Sequence, residues 1–189
     1  SNISIQINTP GSIIKNFQMN KAKRNMLREL ELLIIDEVSM LRADLLDAID
    51  TILRFVRRQS LPFGGIQILF IGDLLQLPPV VKHNENEYLA PYYSNIHFFN
   101  ALALQKQNLV YIELEKIYRQ TDQEFISILN KLRDNDVSDK DIEKLNKYYK
   151  ADFEPKENEG YINLTTHNQH ADEINKQALQ KLPGKSFFF

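Results

Sequence analysis

The 189 residues suffice for one large domain or two small ones, and 43% hydrophobic with 25% charged residues is ordinary for a globule. Twenty-three basic residues against 25 acidic ones give a net charge of −2, so a polyanion partner would need a local patch. The absence of cysteine excludes disulfides, thiol catalysis and cysteine-ligated zinc or iron–sulfur sites.

No apolar run approaches the ~18 residues of a membrane span and no signal-peptide pattern opens the chain, so a soluble cytoplasmic protein with no membrane partner is expected. Ser-Asn in place of an initiating Met suggests a fragment. Ile3, Ile5 and Ile7 alternate before a turn cluster, Thr9-Pro10-Gly11-Ser12. Lys21, Lys23, Arg24 and Arg28 then lie on a helical stretch. They fit a DNA-facing patch, but a solvated helix face is the plainer reading.

Leu32-Leu33-Ile34-Ile35 and Ile66-Gln67-Ile68-Leu69-Phe70-Ile71 are short apolar runs without alternation, which predicts strands buried on both faces. Between them Leu41, Leu45, Leu46, Ile49, Ile52, Leu53 and Val56 form one stripe of an amphipathic helix reaching about Gln59. Arg54, Arg57 and Arg58 suit its C-terminus. Pro62-Phe63-Gly64-Gly65 then turns the chain, so strand, helix and strand form a βαβ unit with a parallel pair.

Residues 80–108 read as irregular. Val110 to Leu114 is predicted as a third strand, followed by Ile117-Tyr118-Arg119-Gln120. Thr121 with Glu124 makes a capping box for a helix carrying Phe125, Ile126, Leu129 and Leu132, and Ser138 with Asp141 opens another through Tyr149. Phe153 to Gly160 reads as an acidic loop and Tyr161 to Leu164 as a strand. Asn168 is expected to cap a helix stopped by Pro183-Gly184, and Phe187 to Phe189 to lie mid-strand.

Asp36 and Glu37 end the first strand. Acids there often cap the next helix, but at the end of a buried strand their charge calls for a cation or donors. An Asp so placed can hold Mg²⁺, usually through water, and an adjacent Glu can polarise an attacking water, the Walker-B arrangement. Gly72, Asp73 and Gln76 end the second strand, and the Gln76 amide could sense a terminal phosphate. A polar turn before Pro78-Pro79 would explain them alone; beside Asp36 and Glu37 the site is the better reading. Arg119 fits a phosphate-reaching finger and an ordinary surface ion pair equally well. Thr165, Thr166 and Asn168 fit a nucleic-acid phosphate contact, though capping is the plainer role. His83, His97, His167 and His170 show no metal-ligand spacing. A phosphate loop, G-x-x-x-x-G-K-[ST], is missing. Gly184-Lys185-Ser186 matches only its tail, because position 179 is Leu, and it follows a helix rather than a strand.

Leu33 to Met40, Gly64 to Val80, Tyr118 to Arg133 and Leu164 to Gly184 together resemble the Pif/RecD-like branch of superfamily 1 DNA helicases, closest to bacterial helicase-like, AAA-type members. The Gly-Asp-x-x-Gln-Leu-Pro-Pro element from Gly72 carries most of that resemblance. It implies an α/β, RecA-like P-loop NTPase fold: a partial first domain over 1–117, and motif IV with the start of a second over 118–189. By the resemblance Asp36 is the magnesium-site acid and Glu37 the water-activating acid of motif II. Gly72, Asp73 and Gln76 match motif III, with Gln76 sensing the γ-phosphate, and Arg119 is the finger of motif IV. The resemblance further implies ATP and Mg²⁺ between two domains and a bacterial cytoplasmic helicase of repair or recombination. It would act as a monomer moving 5′ to 3′ on single-stranded DNA and at duplex junctions. Other members carry a phosphate loop upstream and motifs V and VI downstream, so this stretch alone is expected to be inactive. Two rivals stand beside this reading: a metal-dependent phosphatase or nuclease using Asp36, Glu37 and Asp73, and a non-catalytic interaction module with a degenerate nucleotide fold.

Overall fold

A computed structural model describes residues 19–153, 160–182 and 184, and the chain divides into two units, Ser1–Thr121 and Asp122–Phe189. The alternation at Ile3 to Ile7, the turn at Thr9 to Ser12, most of the acidic loop, Pro183, Lys185-Ser186 and the terminal phenylalanines lie outside the described residues.

In the first unit, α1 (Lys21–Glu29) starts where the Asn20 side chain accepts a hydrogen bond from the Lys23 amide at 2.8 Å. It leads into β1 (Leu32–Ile35), a single 3₁₀ turn at Val38–Met40, and α2 (Ala43–Arg57). A second 3₁₀ turn, Pro62–Gly65, delivers the chain to β2 (Gln67–Phe70). β1 and β2 pair in parallel, Leu32 opposite Gln67 and Ile35 opposite Phe70, with α2 as the crossover that a parallel pair requires.

α2 buries Ala43, Leu46, Asp50, Leu53 and Val56, one face at helical spacing, while Leu45 of the expected stripe is 48% exposed. Leu45 and Leu46 are neighbours about 100° apart around the helix, so only one can face the core. Leu46 and Leu53 join Val38, Phe63, Ile66, Phe98, Ala101 and Leu104 in the main cluster, each large side chain contributing roughly 1.5–3 kcal/mol.

Three polar side chains tie α2 to its neighbours. The Arg57 guanidinium donates through Nε to the Gly64 carbonyl and through Nη1 to the carbonyls of Leu27, Arg28 and Leu30, so it closes the end of α1 more than it serves its own helix. Asp50, 8% exposed, accepts from the Phe63 amide and from Arg54, holding Phe63 in a left-handed conformation at φ 52°. Asp47 accepts from the Tyr93 hydroxyl and from the amides of Leu102 and Ala103, and so ties the segment after β2 to α2. That segment contains α3 (His83–Leu89) and 3₁₀ turns at Phe98–Asn100 and Leu102–Leu104, an ordered path where the sequence reads as irregular.

The strands depart from expectation in burial. Leu33, Ile35, Ile68 and Phe70 pack on the core, but Leu32, Ile34 and Leu69 are 41%, 53% and 43% exposed. Among the described residues the sheet has two strands and one covered face, so full burial on both faces is not reached. Neither Val110 to Leu114 nor Tyr161 to Leu164 forms a strand; both are exposed, because a strand exists only with a ladder partner.

The second unit holds α4 (Gln123–Arg133), α5 (Asp139–Asn146) and α6 (Asn168–Lys181). Asp122, not Thr121, caps α4, accepting from the Glu124 and Phe125 amides. Ser138 and Asp141 form the expected capping box on α5, and the Lys131 ammonium donates to the Asp141 carboxylate at 3.0 Å, tying α4 to α5. His167 is the N-cap of α6, so Asn168 lies inside the helix rather than capping it.

Candidate functional site

Beyond the last paired residues the two strands stay joined. The Ile71 amide donates to the Ile35 carbonyl at 2.9 Å, and the Val38 amide donates to the Ile71 carbonyl at 3.0 Å. Asp36-Glu37 and Gly72-Asp73 therefore leave the sheet side by side at its carboxyl edge, where parallel sheets take ligands.

Glu37 has φ 51° and ψ 42°, a left-handed conformation uncommon for a residue with a side chain. It turns the chain abruptly into the Val38–Met40 turn. Such strain at a loop carrying two acids is the kind of outlier that gathers at functional sites. Asp36 accepts the Glu37 amide on Oδ1 at 2.9 Å. Its other oxygen, and the whole Glu37 carboxylate, make no hydrogen bond with another described residue. Both side chains are exposed, so the expectation of a charge buried at the strand end is corrected: the carboxyl edge opens to solvent.

Gly72 is required here. A Cβ on it would lie 2.9 Å from the Val38 amide nitrogen, closer than real Cβ contacts come, and a tight 3.1 Å from Val38 Cγ1. Asp73 organises its own loop, accepting the Leu75 amide on Oδ1 at 3.0 Å and the Gln76 side-chain amide on Oδ2 at 3.4 Å. The Gln76 backbone amide closes the same turn onto the Asp73 carbonyl. Asp73 thus orients Gln76.

Asp36, Glu37, Asp73 and Gln76 share one edge. Arg119 follows later in the same unit of the chain. It lies exposed in an irregular stretch and forms no hydrogen bond or ion pair with a described residue. Thr165 and Thr166 flank the start of α6. The Thr165 hydroxyl accepts from the His167 amide at 3.4 Å and the Thr166 hydroxyl meets His167 Nδ1 at 2.9 Å, contacts of a local turn. Among the described residues no three His, Asp or Glu side chains converge to hold a metal, so Asp36, Glu37 and Asp73 do not form the centre that a phosphatase or nuclease reading needs. A hard cation on one carboxylate and water, as Mg²⁺ prefers beside a phosphate, does fit the free oxygen of Asp36.

Sequence reasoning missed Ser39. It is 1% exposed, its hydroxyl has no partner among the described residues, and its amide lies 3.3 Å from the place a Gly72 Cβ would take. A serine after a strand reads as a polar turn, and nothing local signals that it is packed under the second loop.

A family profile described as PIF1-like helicase matches residues 1–143. The human ATP-dependent DNA helicase PIF1 is 38% identical over 156 residues, 81% of this chain and 22% of that protein. A crystal structure of Pif1 helicase from Bacteroides, in complex with ADP-AlF3 and single-stranded DNA, superposes with a TM-score of 0.81 at 38% identity, covering 90% of this chain and 40% of that one. A structure of two coordinating Pif1 helicases at forked duplex DNA gives 0.77 at 40% identity, covering 86% and 38%. The chain therefore spans less than half the length of these proteins. A parallel βαβ unit with an acidic edge, matched over most of its length in sequence and backbone, leaves one conclusion: the fold is α/β and RecA-like, and the chain belongs to the PIF1-like helicase family.

Proposed function

We propose that the chain carries the magnesium-binding and water-activating half of an ATP-driven DNA helicase motor. The observation that carries this is the shared carboxyl edge, where the Val38–Ile71 hydrogen bond fixes Asp36 and Glu37 beside Gly72, Asp73 and Gln76. In this reading residues 1–117 belong to the first RecA-like domain, and 118–189 carry motif IV and open the second. Bound ATP with Mg²⁺ would supply the scissile phosphoanhydride and a cation to neutralise its charge.

Asp36 turns its free oxygen to the cation's water shell. Glu37, unpaired and exposed, takes the proton from the attacking water, and Gln76, steadied by Asp73, donates its amide to the γ-phosphate. Arg119 serves as the finger of motif IV, offering its guanidinium to the charge that develops on the γ-phosphate. Thr165, Thr166 and Asn168 contribute hydroxyl and amide contacts to a DNA phosphate. The protein acts as a monomer in the bacterial cytoplasm, moving 5′ to 3′ on single-stranded DNA and opening duplex at junctions. The DNA and nucleotide analogue in the similar Pif1 structure support the choice of partners.

The test is made in the full-length protein. Glu37→Gln keeps shape and hydrogen bonding but removes the base, so it is expected to retain ATP and DNA binding while abolishing hydrolysis and unwinding. Arg119→Ala should slow hydrolysis by roughly a thousandfold with DNA affinity unchanged. ATPase rates and DNA binding curves measured together decide it. A Glu37→Gln enzyme hydrolysing at the parent rate would sink the mechanism.

A further inference from the structure

An open cleft of about 870 Å³ runs along α2 and the turn after it, from Asp47 to Ser60, bounded by Arg24 and Arg28 of α1 and by Leu102 and Ala103. α2 runs back along the strands, so its C-terminus sits at their amino ends. The cleft's lining includes none of Asp36, Glu37, Gly72, Asp73 and Gln76. Arg24, Arg28, Arg54 and Arg58 line it, over a floor that includes Phe55 and Leu102.

The charge is only partly spent. Arg54 is paired with Asp50 at 2.8 Å, and the Asp47 carboxylate is taken up by the Tyr93 hydroxyl and two backbone amides. Among the described residues the Arg28 guanidinium donates only through Nε, to the Val56 carbonyl. The guanidinium groups of Arg24 and Arg58 make no hydrogen bond or ion pair with a described residue. Phe55 and Leu102 remain 49% and 51% exposed, apolar surface inside a rim of four arginines and two carboxylates, Asp47 and Asp50, that are already engaged.

We propose that this cleft docks an acidic peptide segment of a partner protein, its carboxylates on Arg24, Arg28 and Arg58 and one apolar side chain on Phe55 and Leu102. Guanidinium forks match carboxylates geometrically, and a concave apolar floor is the usual seat for a single anchoring side chain. A nucleic-acid strand is the poorer fit. It needs successive stacking platforms along a groove, and the cleft's lining holds a single aromatic ring, Phe55.

The experiment uses the full chain and a dye-labelled synthetic peptide rich in aspartate with one phenylalanine, read by fluorescence anisotropy. Saturable binding that weakens with salt is expected. Replacing the aspartates by asparagine, or the phenylalanine by alanine, should each weaken it. The exposed double variant Arg24→Glu/Arg58→Glu, checked for unchanged thermal unfolding, should lose about tenfold in affinity. A lysine-rich peptide with the same phenylalanine should bind that variant better than it binds the parent chain. Equal binding of the acidic peptide by parent and variant would overturn the proposal. So would displacement of the peptide by a thymidine oligonucleotide that binds more tightly and loses affinity in the same variant, which would mark a nucleic-acid site.

Discussion

Gly72 and Glu37 are the two residues on which the geometry of the acidic edge turns. Glu37 accepts a left-handed backbone so that the chain can reverse, and Gly72 lacks a side chain so that the reversed loop can lie against it. Gly72→Ala would drive its methyl into the Val38 amide, a backbone atom that cannot swing away, so the loop bearing Asp36 and Glu37 must shift. The cost is expected at about 1–3 kcal/mol, the usual penalty for overpacking. In the full-length protein thermal unfolding should drop modestly while ATP hydrolysis falls at least about a hundredfold, since ångström misplacement of a catalytic group is enough for that. A variant with parent activity would show that the two loops are not coupled. The motif residues were legible in the sequence because strand ends, acids and glycine are local signals. Arg57, Asp50 and Asp47 were not, because each acts on partners far along the chain: Arg57 on residues 27 and 30 positions away, Asp47 on residues 55 and 56 away.

At the scale of elements, the link between α4 and α5 depends on one carboxylate. Asp141 is buried, accepts from the Ser138 hydroxyl and amide, and meets the Lys131 ammonium. The Ser138 hydroxyl first, then Lys131, lower its pKa from 3.8 to about 2. A carboxylate whose pKa falls on folding stabilises the folded state fully above its unfolded pKa, and that stability is lost as pH falls toward the folded value. The second unit is therefore expected to hold steady from neutral pH to about pH 5 and to loosen between about pH 4 and pH 2. Amide hydrogen exchange of α4 and α5 across that range would show it, and Asp141→Asn should flatten the response. This capping box was readable from Ser138 and Asp141 alone, as was the βαβ unit from its apolar runs. The strands expected at Val110 to Leu114 and Tyr161 to Leu164 were not, for their composition is right but pairing is decided by a neighbour, not by propensity.

At the scale of the whole molecule, what is exposed sets what this chain can do alone. Its sequence contains no phosphate loop, so the β- and γ-phosphates would lack the backbone amides and lysine that cradle them. The purified chain is expected to bind nucleotide very weakly and to show no measurable ATP hydrolysis. Robust magnesium-dependent turnover would mean the site lies elsewhere.

Exposed apolar strand surface sets a second property. Leu32, Ile34 and Leu69 face outward on the sheet, while Val110, Tyr111, Ile112 and Leu114 are 77–89% exposed and belong to no strand among the described residues. Surface of that kind recruits another copy, edge to edge or face to face. Light scattering of the chain alone should rise steeply with concentration, and a dye that reports exposed apolar surface should bind it. Val110→Lys with Ile112→Lys is expected to suppress both and leave circular dichroism and the unfolding temperature in place, because neither side chain belongs to the core cluster. In the full-length protein the same pair should instead lower the unfolding temperature, since a RecA-like sheet there would enclose the segment as a strand. A chain that stays monomeric at high concentration, or a full-length variant as stable as its parent, would show that residues 110–114 never pair.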